Sequence, residues 1–133
     1  MKNSCYTYFR IVGKFNTDDI TDILKITPEE KWDIGDIRKN GCKYDWANWS
    51  IGYCKDYNIE TEVQMHKTIS QLINKKEELK KIREKFDVEF YLEIVPTLCI
   101  DETTPCLAPS MEVVDFCYET RTQIDIDLYL VEK

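Results

Sequence analysis

Histidine is almost missing from this chain, with His66 the only one, and none of the six cysteines stands in a Cys-x-x-Cys pair. Zinc sites are built from such paired short spacings, so no metal ligands are expected. Glycine signatures are missing too: there is no P-loop, no dinucleotide fingerprint and no nucleophile elbow. No apolar run approaches the ~20 residues that span a bilayer, which sets a membrane partner aside. The opening "MKNSCYTYFRIVGK" lacks a signal peptide's apolar core and cleavage site, so the expected compartment is the cytoplasm. No low-complexity linker or internal repeat divides the 133 residues, and that length suits one domain over 1–133. The absences leave no expected cofactor and no catalytic set.

Positive charge is also short. The formal net charge is −7 and the pI about 4.8. Most of the imbalance lies after residue 86, where two basic groups face eleven acidic ones. An acidic surface repels phosphate backbones, so nucleic acid is not an expected partner. The lysine-rich stretch "NKKEELKKIREKF" runs against this trend and reads as a solvated helix face. The cysteines at 5, 42, 54, 99, 106 and 117 are read as reduced structural thiols. Cys5, Cys99 and Cys117 lie in apolar-patterned segments, where free cysteine acts as a small hydrophobe.

Strands and helices are present in an orderly succession. "CYTYFRIV" alternates, with Cys5, Thr7, Phe9 and Ile11 on one side and Tyr6, Tyr8, Arg10 and Val12 on the other. "FNTDDITDILKI" then reads as a helix, with Asn16 as N-cap and Asp18 and Asp19 at its positive end. "WANWSIGYC" returns to strand character. "ETEVQMHKTISQLI" has helical spacing, and Asn74 with Glu77 predicts a capping-box restart into a second helix over 75–86. "DVEFYLEIV" alternates again up to Pro96, with Glu89, Tyr91, Glu93 and Val95 outward. A short helix follows, with Pro109 near its first turn. "TQIDIDLYLV" is the most regular strand, predicted with Ile124, Ile126, Leu128 and Leu130 inside and Asp125, Asp127 and Tyr129 outside. Half-alternating strands mean a sheet with one covered face. The expected fold is an α+β two-layer sandwich, a mainly antiparallel sheet with helices on one face. A ferredoxin-like arrangement, with the last strand beside the first, is one way to connect it.

Every tryptophan falls within "KWDIGDIRKNGCKYDWANWS", residues 31–50. Trp49 belongs to a strand pattern and is expected in the core, and Trp32 is expected to close over the first helix. Tyr44 and Trp46 are the aromatics expected to reach a rim, where large groups with one polar handle suit contact. Asp33 and Asp36 read as turn caps sooner than as cation ligands, because calcium loops need denser oxygen ligands. Cys42 and His66 carry no flanking signature of a nucleophile and its base.

A strand entering the "ITDILKITP" helix–proline unit, then "KWDIGD", "YDWANWS", paired helices, "FDVEFYLEIV" and a closing "IDIDLYL" resemble the bacterial domain of unknown function family 4279 over nearly the whole chain. The resemblance implies small, mostly bacterial, cytoplasmic proteins in which the tryptophan–glycine pieces are structural. It carries no catalytic residues over.

Two function classes remain. Tyr6, Tyr8, Tyr91 and Tyr129 pool with Glu93, Asp125 and Asp127 on the outer strand faces, and tyrosine ringed by acid suits a basic protein partner. That points to a non-enzymatic interaction module, such as an immunity-type inhibitor of a basic toxin or nuclease. The alternative is a small-molecule-binding protein or enzyme with a pocket between the aromatic segment 31–50 and the helices. The oligomeric state is not legible.

Overall fold

Strand β1 (Ser4–Lys14) organises the sheet in this computed structural model, which describes residues 2–56 and 60–132. Thr7, Phe9 and Ile11 are fully buried on one side of it, while Tyr6, Tyr8 and Arg10 stay partly accessible on the other. Both its edges are paired antiparallel, by β3 (Ala47–Lys55) and β4 (Asp87–Cys99). The short β2 (Glu30–Trp32), not anticipated from the sequence, pairs antiparallel with β3. β5 (Thr122–Ile126) and β6 (Tyr129–Val131) both run parallel to β4. The order β2-β3-β1-β4-β5, with β6 following on β4, makes an open, mixed six-stranded sheet in an α+β fold. The C-terminal strands thus lie beside β4 and not beside β1, so the ferredoxin-like arrangement does not hold. A parallel neighbour requires a crossover, and α4 (Met111–Thr120) supplies it between β4 and β5.

Helix α1 (Thr17–Leu24) starts as its sequence dictates, Asn16 accepting from the Asp18 N–H at 2.9 Å. The helix pair breaks between α2 (Thr61–Ile69) and α3 (Lys76–Lys85), but the Asn74–Glu77 box does not form. Lys75 occupies the cap position, which leaves Asn74 one residue too early. α4 is capped by Ser110, which accepts from the Val113 N–H, and Pro109 precedes the cap. Among the described residues no helix is long and apolar enough to cross a membrane.

One hydrophobic cluster joins the sheet to all four helices. Phe9, Ile11, Trp49, Phe90 and Leu92 meet Ile20, Leu24, Met65, Leu79 and Phe116 there. At roughly 1.5–3 kcal/mol for each fully buried large side chain, this cluster outweighs the surface pairs in holding the fold. Because every helix among the described residues packs on this side, they place no helix on the opposite sheet face.

The sheet departs from the sequence expectation in three places. Between Thr7 and Phe9 the register slips as β3 gains a residue around Gly52. Gly52 has φ +76°, and a Cβ there would lie 2.5 Å from the Thr68 carbonyl oxygen of α2. The bulge reverses the alternation, so Ile51 is buried and Tyr53 emerges on the other side. Secondly, Pro96 does not end β4, which continues to Cys99. Residues 95–96 face the break between β5 and β6, where a missing N–H costs least. Thirdly, Ile124, Ile126, Leu128 and Leu130 are exposed, not inside. Ile124 and Ile126 do stand on the helix side, in register with Leu92 and Ile94, but the helical cover stops at Thr122.

Candidate interaction face

The bare face of the sheet is organised around stacked tyrosines. Tyr8 lies between Tyr53, stacked 4.5 Å away with its ring nearly parallel, and Tyr6 at 6.0 Å. Two acids tie Tyr53 down: its hydroxyl donates to Glu30 at 2.9 Å, and its backbone N–H to Glu29 at 2.8 Å. On β4, Tyr91 donates to Glu89 and receives the Arg10 guanidinium over its ring at 4.8 Å. The same guanidinium donates from Nε to Glu93 at 3.0 Å. Asp125 stands beside Glu93 in register, and Tyr129 donates to Asp127 at 3.0 Å at the margin.

Glu93 is only 3% exposed. Burial pushes its carboxyl up to about 7, and the hydrogen bond to Asp125 adds to that, outweighing the opposing pull of Arg10. The sequence placed Glu93 among the contact residues; it faces the right way but lies under its neighbours, so it supports the face and cannot be touched. Burial raises the Tyr8 hydroxyl to about 12 and Tyr53 further. Tyr91 and Tyr129 are raised chiefly by their hydrogen bonds to Glu89 and Asp127. These four tyrosines are therefore neutral donors at physiological pH, set among carboxylates.

The aromatic segment forms a clasp at the far end of the same face. A small hairpin, closed by the Ile37–Lys43 bridge and the Arg38 N–H to Cys42 carbonyl bond at 2.7 Å, carries Tyr44 back onto Trp32. The two rings stack at 4.4 Å, Trp32 donates from its indole N–H to the Trp46 carbonyl at 3.1 Å, and Trp46 meets Tyr44 edge-on. Arg38 covers both Tyr44 and Trp46, about 5 Å from each ring centre (5.0 and 5.1 Å). Trp32 does not close over α1. It pairs in register with Asn48, on the other side of the sheet from Trp49, whose indole N–H donates to Thr21 of α1 at 3.0 Å. Tyr44 and Trp46 are half-buried.

A recess of about 240 Å³ links the clasp to the face, lined by Val12, Lys14, Asp45, Trp46, Asp87 and Glu89 among others. It opens between Trp46 and the ends of β1 and β4, not toward the helices as the sequence suggested. Asp33 is a cap: its carboxylate accepts from the Thr17 N–H and hydroxyl, and Asp36 accepts from the Asp33 N–H. His66 pairs with Ser110 at 2.8 Å, while Cys42 lies exposed on the hairpin. Among the described residues no cluster of three or more metal-ligating side chains forms.

The structure thus gathers Tyr6, Tyr8, Tyr91, Glu93 and Asp125 on one face, with Asp127 and Tyr129 at one end of it and Tyr44 and Trp46 at the other. Tyr53, Glu30 and Arg38 were missed. Gly52 inside a strand pattern was the available sign for Tyr53, because such a glycine marks a bulge. No comparable sign existed for Arg38.

Fold and face define a class of small α+β protein whose sheet is covered by helices on one side and bare, tyrosine-rich and acidic on the other. The family described as Domain of unknown function (DUF4279) matches residues 3–131, and the chain belongs to that family. No curated protein and no solved structure matches it significantly.

Proposed function

We propose that this chain is a non-enzymatic protein-interaction module of the bacterial cytoplasm whose bare sheet face takes a basic protein partner, as an immunity protein would in neutralising a basic toxin or nuclease. The observation that carries this reading is the Tyr53–Tyr8–Tyr6 stack, immobilised by Glu30 and bordered by Tyr91, Glu89 and Asp125. Rigid tyrosines lose little side-chain freedom on contact, and carboxylates around them steer a cationic partner. The net charge of −7 acts in the same direction over longer range.

The ligand-pocket alternative has less behind it. The recess at Trp46 holds about 240 Å³, below the ~300 Å³ at which small-molecule sites begin. Its polar lining mixes Lys14 with Asp45, Asp87 and Glu89 and includes neither histidine nor cysteine.

The test is affinity capture from the native host, followed by hydrogen-exchange mapping of the purified complex. Protection concentrated on 6–10, 53 and 89–93 supports the reading. Protection confined to the helices, or to the Trp46 recess with a small molecule bound, overturns it.

A further inference from the structure

The strand with the most regular alternation is exposed over nearly its whole length. Thr122 is buried and shares a hydrogen bond with Thr120, but no later residue of β5 is buried. Ile124 and Ile126 are 37% and 45% exposed although they stand beside the fully buried Leu92 and Ile94. Leu128 and Leu130 extend the apolar row, at 50% and 69%. Among the described residues no strand pairs the outer edge of β5. Asp127 donates its N–H to the Ile94 carbonyl, toward β4. In a parallel pairing alternate residues point their backbone groups the same way, so those of Ile124 and Ile126 point to the open edge.

Such an edge is a template for strand addition, and folded chains protect it. Here the protection is charge, because Asp125 and Asp127 alternate with the apolar row. Two copies laid antiparallel about residue 125 would set Asp125 against Asp125; about residue 126 they would set Asp125 against Asp127. Like charges directly opposite are destabilising, so these carboxylates act against a second copy. Opposite a strand bearing lysine or arginine, they attract.

We propose that the β5 edge is a docking site for an extended protein segment in which apolar residues alternate with lysine or arginine, added as a further strand. Its apolar side chains cover Ile124, Ile126 and Leu128 on the helix side, and its cations meet Asp125 and Asp127 on the other. The proposal shares with the face reading the partner's positive charge and the carboxylates of Asp125 and Asp127, which border both; the segment lies on the edge, not on the tyrosines.

The test uses a labelled, end-capped peptide of alternating valine and arginine, about ten residues long to match a strand. Its control alternates valine with glutamate. The arginine peptide should bind, protect the amides of Ile124 and Ile126 from exchange, and weaken with salt, and the glutamate peptide should bind about tenfold less tightly or worse. Ile126→Pro removes an N–H directed at the open edge, a place where proline is tolerated, and should cut binding about tenfold with the fold retained by circular dichroism. Ile126→Thr keeps the β-branched backbone preference and removes apolar contact, so it should cost about three- to fivefold should the proline variant prove unstable. Tyr91→Ala, on the bare face, should leave peptide binding unchanged. Equal affinity for the two peptides, or wild-type binding by both Ile126 variants, overturns the proposal. Loss with Tyr91→Ala alone also overturns it and moves the contact to the face. Sedimentation as a dimer that Ile126→Pro converts to monomer overturns it in favour of a second copy.

Discussion

Arg10 and Glu93 form a 3.0 Å ion pair in which the carboxylate is buried and the guanidinium also covers Tyr91. Glu93 nevertheless titrates near 7, against an ordinary value of 4.5, because burial and Asp125 disfavour its charge more than Arg10 favours it. The folded state therefore binds a proton that the unfolded state has released between about pH 4.5 and 7. Stability from this group is fully present below the lower value and is lost as pH rises through the upper one. At about 1.4 kcal/mol per pK unit, the loss is on the order of 3 kcal/mol, most of it between pH 5 and pH 8. Urea titrations at pH 5 and pH 8 should show the protein more stable at pH 5. Glu93→Gln, which stays neutral and can still donate to Asp125, should flatten that difference. A Glu93→Gln protein with the wild-type slope would assign the titration to another group.

Gly52 gives a sharper stability prediction. Its φ of +76° strains any side chain, and a Cβ would meet the Thr68 backbone of α2 at 2.5 Å. Thr68 is fixed in turn, donating to the Gly52 carbonyl at 2.6 Å and bonded to Thr7 at 2.7 Å. Gly52→Ala should therefore cost about 2 kcal/mol or more. Gly35 has φ +92°, and a Cβ added there would meet no atom within 4 Å, so Gly35→Ala should cost only the conformational strain, about 1 kcal/mol. Thermal melts of the two variants separate these contributions.

The contrast between β1 and β5 shows what alternation can and cannot tell. Phe9 and Ile11 alternate with Tyr8 and Arg10, and the first pair is buried as the pattern requires. Ile124 and Ile126 alternate with Asp125 just as cleanly, and their side of the sheet is also as expected. Their depth is not, because alternation reports which face a residue takes and says nothing about whether a helix reaches it. Glu93 shows the converse: an outward position can still be buried when Arg10 and its neighbours fold over it. The clasp was legible only in composition. Trp32 changes sides relative to the sequence expectation because its partner is Asn48, a pairing set by the unanticipated β2.

Arg38 should stabilise the clasp, since it lies over both Tyr44 and Trp46. Each cation–π contact at a partly exposed site is worth about 0.5–1 kcal/mol. Arg38→Ala should thus lower stability by about 1 kcal/mol and shift part of the tryptophan emission to the red. Trp49, fully buried and bonded to Thr21, should keep its blue component. Emission that does not move would mean that Trp32 and Trp46 are held without Arg38.

Tyr91→Ala and Asp127→Lys probe the face with a captured basic partner. Tyr91 is partly exposed and anchored at both ends, by Glu89 and Arg10, so its removal takes away rigid contact area. The expected cost is about 1–2 kcal/mol in binding, expressed mainly in dissociation. Asp127 is exposed and its side chain bonds only Tyr129 among the contacts described, so its reversal should leave the fold intact. Reversal should instead slow association and reduce its dependence on salt. Because Asp127 borders both the face and the β5 edge, it reports the partner's charge without locating the contact; Tyr91 and Ile126 do that. Loss with Tyr91→Ala alone places the partner on the tyrosines, loss with Ile126→Pro alone places it on the edge, and loss with both requires a partner that spans them. Calorimetry that finds wild-type affinity for Tyr91→Ala, Tyr8→Ala and Asp127→Lys together would remove the bare face from consideration and leave the clasp, where Tyr44→Ala and Trp46→Ala provide the matching measurement.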